Sequence, residues 1–150
     1  MSTSLEELLP TAASLKIKIE DAKLGKLDAE MRAQEEADAE KKALIEELIK
    51  PSGVSDEEGI RRGLAIIQRA VNAGLKEVEV YRFPNQLCTD NGRAINQMEP
   101  GWEKTLTGVP NEIYRLWHKY FRPRGYKLSA QIVAFPGGVP GDVGLILSWG

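Results

Sequence analysis

The sequence predicts an α+β fold: a small three-stranded mixed sheet covered by helices, preceded by a long N-terminal helical arm. Three observations predict it. Residues 20–50 contain no aromatic side chain and are rich in Ala, Glu, Lys and Leu, the composition of a solvated helix. Every Trp, Tyr and Phe lies at or after Tyr81, so the core belongs to the second half of the chain. In that half, short apolar runs around Val80, Ile132 and Leu145 alternate with segments of helical periodicity. The boundary implied is an arm over residues 1–50 and a globular domain over 51–150.

Each element has its own signal. Residues 4–10 form a short amphipathic lead that Ser4 can cap with Glu7 as its capping-box partner, and Pro10 interrupts it. Residues 11–50 then read as one helix, closed by Pro51. Opposite charges at helical spacing, Asp28 with Arg32 and Glu46 with Lys50, each add roughly 0.2–0.5 kcal/mol. Ile17, Leu24 and Met31 recur at seven-residue steps with Leu27 between them, as in a coiled-coil seam. The seam fades at Gln34 and Asp38, Gly25 weakens it, and an apolar face returns at Leu44, Ile45, Leu48 and Ile49. A rival reading of its start is an edge strand, because Leu15, Ile17 and Ile19 alternate with Lys16 and Lys18.

Ser55 and Glu58 form a capping box for a second helix. Its apolar face is Ile60, Leu64, Ile67 and Val71, widened by Ile66 and Ala70, and Gly74 stops it. A strand follows, with Val78, Val80 and Arg82 on one face and Glu79, Tyr81 and Phe83 on the other; Pro84 closes it. Pro110 opens another helix whose buried stripe is Ile113, Leu116, Trp117, Tyr120 and Phe121. Two strands end the chain, over residues 127–135 and 143–149. The long helical crossover between the first two strands favours a parallel pair, and the short loop between the last two favours an antiparallel one.

Composition narrows the function. One cysteine, Cys88, excludes a disulfide framework, and one histidine, His118, argues against a zinc centre, so neither metal nor cofactor is expected. A net charge of −2 gives no field for general nucleic-acid binding. No run of about twenty apolar residues predicts a membrane span, and the acidic start of the chain does not read as a secretory signal; a cytoplasmic setting is the default.

Two turn-rich loops, 82–93 and 135–142, follow apolar strands. If those strands are parallel neighbours, both loops open at one end of the sheet, where Arg82 or Arg93 faces Asp142. Gly137 and Gly138 offer backbone N–H groups to an anion, yet glycines between strands are more usually turn residues. Asp90 is available to a ligand or, more economically, caps a short helix. Cys88 reads as structural rather than nucleophilic, because nothing local positions His118 as its base. Arg115, Lys119, Arg122 and Arg124 gather where a helix ends, a place where cations also complement the helix dipole.

The primary expectation is therefore a non-enzymatic interaction or regulatory module, homodimeric through Leu24, Leu27 and Met31. The alternative is a protein or enzyme that binds a small polar ligand through Arg82, Asp90, Arg93, Gly137, Gly138 and Asp142. The weaker alternative is nucleic-acid contact through the basic helix end at 115–124.

Overall fold

The computed structural model describes residues 5–150. Ser4, and with it the cap assigned to the lead segment, lies outside the described residues. Leu5–Leu8 forms a single 3-10 turn. The first long helix, α1, runs from Ala12 to Ile49. Thr11 starts it, its hydroxyl oxygen accepting from the Ser14 backbone N–H at 3.1 Å. The edge-strand alternative at 15–19 is thereby replaced by helix, the lysines being as compatible with a solvated helix as with a strand.

The chain divides into two compact units after Lys42. The described part of the first unit contains no buried residue. The second unit begins inside α1, so Ile45 and Leu48 belong to it and pack against its core. In that unit α2 spans Asp56–Asn72, with the Ser55 hydroxyl capping the Glu58 N–H at 3.2 Å. Its inward face is turned from the one the apolar periodicity suggests. Ile67 and Ala70 are buried and Ile66 is half-buried, whereas Leu64 and Val71 are exposed. Two glycines explain the rotation. A Cβ at Gly59 would stand 2.7 Å from Leu116, and one at Gly63 would stand 3.1 Å from Phe121. The bare backbone there admits the opposing helix, and the branched residues beside it are left outside.

Strand β1 (Glu77–Phe83), the short helix α3 (Arg93–Asn96), helix α4 (Gly108–Leu116), strand β2 (Lys127–Ile132) and strand β3 (Val143–Ser148) complete the unit. α4 does not stop at Leu116. It widens into a π turn over Trp117–Phe121, then tightens into a 3-10 turn over Arg122–Arg124.

The α+β class, the three strands and the long N-terminal helix agree with the sequence. The strand pairing corrects it. The order is β1-β3-β2, and both pairs are antiparallel, so the sheet is not mixed. β1 and β2 do point the same way, but β3 lies between them. The cause is visible in composition. Val143, Leu145 and Leu147 carry no charge and are buried, which suits the centre of a sheet. β1 and β2 carry Glu77, Glu79, Arg82 and Lys127, residues suited to edges.

A bulge between Glu79 and Tyr81 makes the second correction. An extra residue reverses the inside–outside phase of the strand beyond it. Tyr81 and Phe83 therefore turn inward opposite Leu145 and Val143, and Arg82 turns outward opposite Gly144. Phe83, Leu87, Ile95, Leu106, Val143 and Leu145 form the core with Cys88. Trp117 is only half-buried, its indole N–H donating to the Tyr126 carbonyl at 3.1 Å.

Candidate functional site

The two predicted loops do meet. Strands that share a direction end at the same end of a sheet even when a third strand separates them. Arg82 Nε donates to Asp142 Oδ2 at 3.0 Å. Behind this pair the buried Asn85 amide donates to the Pro140 carbonyl at 2.9 Å. The polar groups are nevertheless largely engaged with one another. Both Asp90 oxygens accept backbone N–H groups, from Gly92 and from Ala94, each at 2.9 Å. Arg93 is exposed and pairs with neither Asp142 nor any other described residue. Gly137 and Gly138 have φ of 61° and 80°, and the Gly138 N–H closes a turn onto the Phe135 carbonyl at 3.1 Å. The Arg82–Asp142 pair is half-exposed and contributes about 0–1 kcal/mol.

Cys88 is buried at 2% exposure, and its thiol is pushed up to about 11, chiefly by burial and further by the Asp90 carboxylate, against a lowering contact from Thr105. A thiol so protonated is not a nucleophile at neutral pH. The sign of the pH dependence comes from the order of ionisation. The unfolded thiol ionises near 9.0 and the folded one near 11, so the unfolded chain loses its proton first as pH rises. Stability is full below the lower value and falls through this interval. Tyr81 and Tyr114, both raised first by burial, act in the same direction. Denaturation midpoints should therefore drop between the two values, and Cys88→Ala should flatten part of that drop. An unchanged slope in the variant would contradict the assignment.

Sequence reasoning missed a large concavity. A cleft of about 630 Å³ opens between α2 and the α4–π-turn segment, above the inner face of the sheet. Its floor is Val80, Tyr81, Leu128 and Leu147; Ile66, Ile113, Leu116 and Phe121 wall it. Two irregularities shape it. The β1 bulge brings the consecutive residues Val80 and Tyr81 to the same cavity, where a regular strand would alternate them. The π turn likewise brings Trp117, Lys119 and Phe121 to the wall. The available signal was the Gly59 and Gly63 pair, four apart within an otherwise strong helix.

Charged groups line the cleft too, and most are already partnered. Asp56 accepts from the Tyr120 hydroxyl at 2.9 Å and lies 3.9 Å from Lys119. Glu112 accepts from the Ser52 N–H at 3.1 Å and the Ser52 hydroxyl at 2.6 Å. Arg62 pairs with Glu58 at 3.2 Å. Arg115 is exposed and has no hydrogen bond or ion pair with any described residue. Of the remaining predicted basic residues, Arg122 bonds to the His118 ring at 2.8 Å, and Arg124 is exposed.

These features define an α+β domain with a long N-terminal helix and an apolar cleft. No family model, curated protein or solved structure matches the chain. Among the described residues there is no cluster of acids, His and Cys suited to a metal, and no helix long and apolar enough to cross a membrane.

Proposed function

We propose that the protein is a non-enzymatic interaction module that self-associates through its N-terminal helix. The observation that carries this is the exposure of an apolar stripe with no cover in its own unit. Ile17, Leu24, Leu27 and Met31 stand 58%, 60%, 54% and 61% exposed. A second copy of the same helix is the partner that fits. With Ile17, Leu24 and Met31 as a positions, Lys16 and Lys23 fall at g, and Asp21 and Asp28 fall at e. In a parallel, in-register pair each lysine faces the aspartate five residues on in its partner, whereas an antiparallel pair sets g beside g and e beside e. The stripe is short, with Glu20 at a d position, so the dimer is a weak one.

Light scattering should return a dimer mass for the wild-type chain. Leu27→Asp places an unpaired carboxylate in the seam at a cost of several kcal/mol, raising the dissociation constant by about a hundredfold or more. A monomer mass for the wild type at high concentration sinks the proposal.

The convergence of Arg82 and Asp142 favours a second reading, a small polar ligand held at the sheet end. It is the lesser one, because Asp142 and Asp90 already have partners. Nucleic-acid contact through Arg115, Lys119, Arg122 and Arg124 draws only on their exposure.

A further inference from the structure

We propose that the cleft between α2 and α4 is a binding site for an amphipathic monoanion, an unbranched acyl chain ending in a carboxylate. Volume, lining and charge each restrict the occupant. About 630 Å³ lies within the range of small-molecule sites. The floor and walls are mostly apolar, with the Tyr81 phenol among them, so the buried part of the ligand gains by leaving water and needs few hydrogen bonds. The lining charges then decide the head. Asp56, Glu112, Arg62 and Lys119 have partners within the fold. Among the described residues Arg115 has none, and it is a planar donor suited to a carboxylate. One unpaired cation beside an apolar cavity selects one negative charge attached to a hydrocarbon. A cationic head would meet Arg115, and a multiply charged head would meet the carboxylates of Asp56 and Glu112 as well.

The site is distinct from the helix seam and from the polar end of the sheet, so it stands whether or not the chain dimerises. Calorimetric titration of the full chain with octanoate, decanoate and decyl alcohol tests it. Octanoate and decanoate should each bind at one saturable site. Each buried methylene tightens binding about fourfold, so decanoate should exceed octanoate by about tenfold or more. Arg115→Glu, an exposed position, should leave the melting temperature unchanged. It should weaken decanoate at least tenfold while leaving decyl alcohol as before. Leu128→Trp, which fills the floor, should abolish both; if that variant unfolds, the Arg115→Glu comparison decides. No saturable binding, no dependence on chain length, or equal decanoate affinity in Arg115→Glu overturns the proposal.

Discussion

Phe83→Ala should destabilise the globular unit by about 3–5 kcal/mol, the range for removing a large aromatic from a packed core. Phe83 is 1% exposed and is among the largest fully buried side chains. It faces Val143 across β1–β3, and its ring lies 6.0 Å from that of Tyr81. The neighbours cannot close the space freely, because Val143 and Leu145 are held in the central strand. Domains of this size have about 5–15 kcal/mol of stability in total, so this one change consumes a large share of it. Phe135→Ala is the matched control. That ring is 55% exposed on the β2–β3 loop, and its removal should shift stability by no more than about 0.5 kcal/mol. Urea denaturation of both variants checks the contrast. Equal effects would mean that β1 is not packed in the phase described.

That phase is where sequence and structure part. Composition alone placed the core in the second half, and the cap at Ser55 and the stop at Gly74 were legible because they depend on a few local hydrogen bonds. Local pattern cannot register a bulge, since the extra residue is defined only by the partner strand. Alternation along β1 therefore grouped Arg82 with Val78 and Val80 and set Phe83 on the opposite face with Glu79, and the Glu79–Tyr81 irregularity broke that grouping. Strand order was hidden for a related reason. Crossover length speaks to strand direction, and β1 and β2 do share one, but it says nothing of which strand inserts between them. The uncharged run of β3 was the available clue.

The candidate sites divide along the same line. Convergence of the loops at 82–93 and 135–142 depended only on strand direction, so it survived the change in strand order. Which arginine meets Asp142 depended on side-chain phase, and it proved to be Arg82 rather than Arg93. The cleft was signalled only by the Gly59 and Gly63 pair; the bulge and the π turn that shape it leave no apolar period to read. Of the proposed seam, what agrees with the sequence is that Ile17, Leu24, Leu27 and Met31 lie on a long helix and are exposed there.

Gly108→Ala should cost about 2–5 kcal/mol, combining a left-handed backbone with an overpacked contact. Gly108 opens α4 with φ of +59°, where an L side chain is strained by about 1–2 kcal/mol. A Cβ there would also strike the end of α1, colliding with the Leu48 carbonyl oxygen and standing 2.8 Å from Ile49 Cα. Both obstacles are backbone, so no side-chain rotation relieves them. Either α4 or the 43–49 segment must shift, and Leu48 and Ile45 would lose their packing on the core. Gly74→Ala separates the two contributions. Gly74 has φ of +76° and nothing within 4 Å of the added methyl, so it carries the conformational cost alone. Denaturant unfolding should rank Gly108→Ala well above Gly74→Ala, with the difference reporting the contact between α4 and the end of α1. If the two variants lose equal stability, that contact is absent in solution, and the 43–49 segment is not part of the globular unit.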